Sequence, residues 1–212
     1  FWTLALALLL DAALGRPAWL RRPINGVRNA ILHLIDGIDA RLNRPSRSPA
    51  NLRTRGALTA CVLVGLAYSF GVFLDGLLTG GGDLAKAALI ATFFAQRGAF
   101  DEARRRLGAS SATHNSGAND PHSLARQGVA ALIVRLSEDV VGATFAYALL
   151  GLSGLFSYGV ILLLAGRLSP EVVAKRDFGA AANGAARLLL AFAVVPAALL
   201  IVFAAAFCPG GS

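Results

Sequence analysis

Methionine is absent from the 212 residues, cysteine occurs twice and histidine three times. The missing methionine has no physical reading, but the opening on Phe1 leads to the expectation that the true start lies upstream. Cys61 and Cys208 sit near the ends of two separate apolar runs and lack C-x-x-C spacing. A disulfide framework and a cysteine zinc site are therefore excluded, and both thiols are expected to pack as small apolar side chains. Charge is also scarce: 15% of residues are charged, against 56% apolar, and mean hydropathy is +0.61. Such low charge in long apolar runs excludes an ordinary soluble domain.

Acids are the scarcer sign, 12 against 20 bases, giving a net charge of +8. Only two of the bases, Lys86 and Lys175, are lysine. Aromatic residues do not interleave with the basic clusters, so bases of a nucleic acid would find no stacking platform. In so apolar a chain the charge points to anionic lipid or an acidic partner surface rather than nucleic acid.

What is present is a series of apolar runs separated by arginine-rich connections. Residues 1–14 are apolar except for Asp11, short of the roughly 20 residues a crossing needs. They read as a first membrane helix cut short in this numbering. Residues 15–56 hold nine arginines, among them Arg21 and Arg22, and two acids, Asp36 and Asp39. Within them Ile24, Val27, Ile31, Leu34, Ile35, Ile38 and Leu42 recur at helical steps, which predicts an amphipathic surface helix. Asn43 to Asn51 reads as loop.

Residues 57–79 form the cleanest crossing. Gly80 to Gly82 make a turn, and Asp83 is expected to cap a helix over 84–96. A basic region, 97–137, follows with Arg104, Arg105 and Arg106, a polar loop and a second amphipathic helix from Pro121. Apolar runs 140–166 and 187–207 complete the chain. The fold expected is all-α: one polytopic membrane domain over 1–212, with four to five embedded segments plus surface helices.

Basic loops mark the cytoplasmic side. Regions 15–56 and 97–137 then lie inside, and the Gly80 turn outside. The connection holding Arg167, Lys175, Arg176 and Arg187 is basic too, so both flanks of 140–166 read as inside. A re-entrant hairpin turning at Gly151, Ser153 and Gly154 removes this conflict. Its arms of about 12 residues, roughly 18 Å, would need protein cover at membrane depth. The alternative is one long tilted helix that violates the charge rule.

Candidate chemistry is sparse. His114 and His122 lie near Asp120, but their spacing fits no metal site, so no metal or cofactor is expected. His33 reads as an interfacial side chain. The segment from Thr79 to Lys86 lacks the Gly-Lys-Ser/Thr ending of a phosphate loop. Asp11, Asp75, Glu138 and Asp139 sit near run ends, where a carboxylate reaches the interface cheaply. No Ser/His/Asp or Cys/His nucleophile set assembles. Polar residues do not recur along a crossing, which disfavours a transporter or channel.

Several short motifs share an order with one family. These are Leu10-Asp11 with Gly15-Arg16-Pro17, Arg55-Gly56-Ala57-Leu58, Phe100-Asp101-Glu102-Ala103-Arg104, and Asp120-Pro121-His122 with Ala125-Arg126. Val140-Val141, Tyr158 and Arg176-Asp177-Phe178-Gly179 continue it. The chain resembles the membrane-embedded adenosylcobinamide-phosphate synthase family of cobalamin biosynthesis. The resemblance implies ATP- and metal-dependent amide formation, with carboxylates holding the metal. It also implies that Asp11, Arg55, Asp120, His122, Glu138 and Asp139 are the family-like positions remaining.

Measured against that resemblance, acidic positions look emptied. The family's Glu-rich helix reads Ala130, Ala131, Val134 and Arg135, and its polar motif after the tyrosine reads Ile161 to Leu164. Its paired acids after Phe-Gly are replaced by Ala, Asn183 and Gly184, and its Arg-Asp-Thr signature before residue 120 is missing. The expectation is a non-catalytic accessory or scaffold subunit of a bacterial inner-membrane complex. Arg21, Arg22 and Arg104 to Arg106 would contact anionic lipid or other membrane subunits. The alternative is an active amide ligase with shifted acids.

Overall fold

A computed structural model describes residues 2–14, 18–44, 48–78, 82–93, 137–169 and 175–207. Every regular element among them is helical: α1 (Trp2–Leu14), α2 (Ala18–Leu42), α3 (Pro49–Leu77), α4 (Asp83–Phe93), a π-helical segment Ser137–Gly142, α5 (Ala143–Arg167) and α6 (Ala180–Phe207). The expectation of an all-helical membrane protein holds, with fewer crossings than the four to five expected. Three stretches of the described residues are long and apolar enough to cross a membrane: Pro49–Leu77, Val140–Arg167 and Ala180–Leu199. The described parts of α1 and α4, 13 and 11 residues, rise about 20 and 16 Å at 1.5 Å per residue.

Helix α3 begins eight residues before the apolar run, because Pro49 fits the first turn, where no amide partner is needed. Arg53 and Arg55 therefore ride on the helix rather than preceding it. From Arg55 to Asp75 the helix rises about 30 Å, so its charges bracket one hydrocarbon thickness. Between them Leu58, Val62, Leu66, Phe70 and Phe73 are exposed, as a lipid-facing surface requires. Cys61 is exposed on the same helix rather than packed, and Cys208 lies outside the described side chains. Helix α4 opens with Asp83 as its first residue rather than its cap, a displacement of one position.

The backbone reverses inside α5. Gly151 has φ 65° and ψ −147°, a conformation open essentially to glycine alone. A Cβ on Gly154 would strike the carbonyl oxygen of Ala146, and one on Gly142 would strike the Tyr158 hydroxyl. In a straight helix residues eight and sixteen apart lie about 12 and 24 Å from each other, so the halves fold back as an antiparallel hairpin. The Val140–Arg167 stretch thus returns to the end it left.

Helix α3 packs along the second arm of this hairpin. At Gly71 the two backbones nearly touch: a Cβ there would lie 2.7 Å from the Ser153 amide nitrogen. At Gly56 it would fall on the Phe178 carbonyl. Lipid is as apolar as leucine, so such close approach between small residues, rather than exclusion of water, holds membrane helices together. The inward face of α6 follows the same rule with Ala182, Ala186, Ala193 and Ala197 buried.

Two buried clusters result. One gathers Ala7, Ala87, Ile90, Ala143, Leu152, Leu155 and Tyr158, joining α1 and α4 to the hairpin. Phe156 stands edge-on to Phe70 and Phe93, with ring centroids 5.3 and 5.0 Å away. The other gathers Ile35, Leu63, Leu164, Leu168, Phe178 and Ala182, flanked by Ile31, Ile38 and Leu42. The apolar stripe of α2 thus packs on the bundle, as its period predicts, while Val27 and Leu34 stay exposed.

Candidate functional site

Below the second cluster, at the end of the bundle where α3 begins and the hairpin returns, the polar side chains form a rim. Asp36 and Asp39 lie three residues apart on α2 and so share a face. The Arg167 guanidinium donates from Nε to Asp36 Oδ1 at 2.6 Å and from Nη2 to Oδ2 at 2.7 Å. This fork suits a planar carboxylate. Asp39 accepts from Asn43 Nδ2 at 3.0 Å and faces Lys175 Nζ at 3.4 Å. Lys175 also donates to the Arg167 carbonyl at 3.3 Å. Across the rim Arg53 Nε donates to Asp177 Oδ1 at 2.9 Å.

Asn183 closes the remaining gap. Its amide donates to the carbonyls of Leu168 at 2.7 Å and Gly179 at 2.9 Å, fastening the hairpin exit to the start of α6. The rim thereby joins α2, α3, α5 and α6. The Arg167 hydrogen bonds, opposed by partial burial and assisted by the charges of Arg167, Lys175 and His33, hold the Asp36 carboxyl below the usual carboxylate range. Each of the three rim aspartates has a cation of the same chain beside it.

The sequence-derived positions are scattered. Arg55 is half-buried on α3, and its carbonyl accepts from the Thr59 hydroxyl at 2.9 Å. Asp11 lies on α1, Arg21 and Arg22 on α2, and Glu138 with Asp139 on the π-helical segment that packs against α6. The side chains of these five lie outside the described ones. Asp120, His122, Arg104, Arg105 and Arg106 lie outside the described residues altogether, as does the second amphipathic helix. Among the described residues no three of His, Cys, Asp and Glu gather as a metal site would need. Tyr158 and Phe178 are buried, one in each cluster.

The rim is what reading the sequence missed. Asp36 and Asp39 were visible as the only acids in a basic stretch, and their spacing of three was the available signal. Nothing local pointed to Arg167, Lys175 and Asn183 as their surroundings, since those lie more than 120 residues away. At the opposite end of α3, Asp75 pairs with Lys86 of α4, and Thr3 of α1 meets the Tyr147 hydroxyl at 3.3 Å.

Between α6 and the first hairpin arm runs an open apolar groove of about 530 Å³, lined by Phe145, Leu188, Ala191, Phe192, Val195, Pro196 and Leu199.

No family model and no solved structure matches the chain. Three curated proteins do, each named cobalamin biosynthesis protein CobD. That of a Sinorhizobium species is 31% identical over 175 residues, covering 74% of this chain and 54% of that protein. That of Rhizobium meliloti strain 1021 is 30% identical, with the same coverage. That of Sinorhizobium fredii is 30% identical over 178 residues, covering 76% and 54%. The chain spans about half the length of the curated relatives it matches.

Proposed function

Since the chain is a diverged member of the CobD family of cobalamin biosynthesis proteins, we propose that it serves as a non-catalytic scaffold subunit of a larger complex in the bacterial inner membrane. The observation that carries this reading is the state of the rim: Asp36, Asp39 and Asp177 are each occupied by Arg167, Lys175 or Arg53. A magnesium ion carrying ATP would have to displace those cations to use the carboxylates. A second support is Leu164, buried among apolar side chains in the stretch where the resemblance calls for polar residues.

In this reading the rim faces the cytoplasm and the hairpin is re-entrant, with α3 and α6 as its protein cover. The regions around Arg21, Arg22 and Arg104 to Arg106 rest on anionic lipid or on neighbouring subunits. In this reading pseudoenzyme behaviour follows from the pairing of the three rim aspartates with cations of the same chain.

The test uses the intact protein extracted in mild detergent, with mass spectrometry of whatever membrane subunits co-purify. It is then supplied with a corrinoid acid, an amine, ATP and magnesium. Stable subunit partners and no amide above background are expected. Amide formed by the lone protein, dependent on ATP and corrinoid, overturns the proposal and establishes the alternative, a working amide ligase, which the similarity to CobD favours.

A further inference from the structure

Arg187 is the one charged residue of α6. It stands seven residues past Ala180, about 10 Å into the helix and one turn past Asn183, and every residue after it in the helix is apolar. The inward face of α6 is the row Ala182, Ala186, Ala193 and Ala197, so Arg187 points outward, where it is exposed. None of the described carboxylates pairs with it. A cation at that depth is costly unless it reaches a counter-charge, and an arginine stem can extend toward the headgroup layer to find one.

The open groove starts beside it. Ala191 and Val195 follow Arg187 at steps of four, so they share its face, and Leu188, Phe192 and Leu199 complete the α6 wall opposite Phe145. From Leu188 to Leu199 the groove runs about 16 Å along the helix. That length accommodates most of an extended acyl chain. A fixed cation at one end of an apolar channel is complementary to a phosphate with a hydrocarbon tail.

We propose that this groove binds one anionic phospholipid, its phosphate on Arg187 and one acyl chain along α6. The site begins one helical turn beyond the rim residue Asn183 and does not depend on whether the chain is catalytic. The occupant is a lipid because one phospholipid brings both the anion that Arg187 needs and the hydrocarbon tail that the groove beside it fits.

The experiment titrates the purified full chain in mild detergent with phosphatidylglycerol, phosphatidylcholine or glycerol phosphate, counting retained molecules by native mass spectrometry. One phosphatidylglycerol is expected, preferred over phosphatidylcholine by about tenfold, the size of one charge-assisted contact. Glycerol phosphate, lacking a chain, should not compete. Arg187→Gln should erase the preference and Arg187→Lys should keep part of it. Ala191→Trp fills the groove, leaves Arg187 in place and should displace the lipid, whereas Leu66→Trp on the exposed face of α3 should not. Circular dichroism and size exclusion check that each variant folds. If Arg187→Gln does not fold, the Ala191→Trp and Leu66→Trp pair still decides. Retention indifferent to Ala191→Trp overturns the proposal. So does loss on Ala191→Trp with no effect of Arg187→Gln, which would mean an apolar occupant without a headgroup. A dimer that Ala191→Trp dissociates would give the groove to a second copy and overturn it equally.

Discussion

The middle of the bundle and its polar rim hold the same helices together by opposite means. In the middle, Gly71 meets Ser153, and Gly154 meets Ala146, backbone against backbone. Nothing there can move aside, because the obstructing atoms are main chain. At the rim, Asp36 with Arg167 and Arg53 with Asp177 meet through long side chains that are partly exposed. Exposed ion pairs contribute little each and rearrange readily. The middle therefore supplies the stability of the contact between α3 and the hairpin. The rim selects which loop ends meet, joining α2 to the hairpin exit and α3 to the turn before α6.

The sharpest way to break this contrast is Gly71→Val. The added side chain lands on the Ser153 backbone, and overpacking of this kind costs about 3 kcal/mol. A large fall in the thermal midpoint of the detergent-solubilised protein is expected; an unchanged midpoint would mean the helices are not in this register. Gly151→Ala probes the reversal itself. At φ 65° and ψ −147° an alanine is strained by about 1–3 kcal/mol, whereas in a continuous helix it would be stabilising. The sign of the change thus separates a hairpin from a straight helix.

At the rim the expected effects are smaller. Arg53→Asp should destabilise by about 0.5 kcal/mol, and adding Asp177→Arg should recover most of that in a double-mutant cycle. Failure to recover would leave the pair without energetic coupling. The smallest effect is that of pH on Asp36. Its folded-state pKa lies below the unfolded value, so its contribution is fully present above the ordinary carboxylate range. It is lost as pH falls through the lowered value. A thermal-midpoint titration should therefore show a slight acid-side loss in the parent that Asp36→Asn lacks. Identical acid limbs in the two proteins would contradict the pairing with Arg167.

Much of the fold was legible because membrane helices announce themselves by composition. The run after residue 57 and the period of Ile31, Ile35, Ile38 and Leu42 each needed only local counting. The true start of α3 was underread, since Pro49 to Asn51 fall in the stretch read as loop although a proline fits a helix's first turn. The rim was illegible for a different reason. Arg167 and Asp36 come together only when the hairpin has turned and α2 has docked, and no local pattern encodes a contact 131 residues apart.

By itself, the sequence determined the solvent and the element type, because unsatisfied backbone in hydrocarbon is too costly for anything but helix in runs this apolar. It also determined where charge could lie, at the ends of α3. Only the tertiary structure decided that Asp36, Asp39 and Asp177 face cations and that α5 doubles back at Gly151. Pairing depends on three-dimensional proximity, and a glycine announces that a turn is permitted without saying that one occurs.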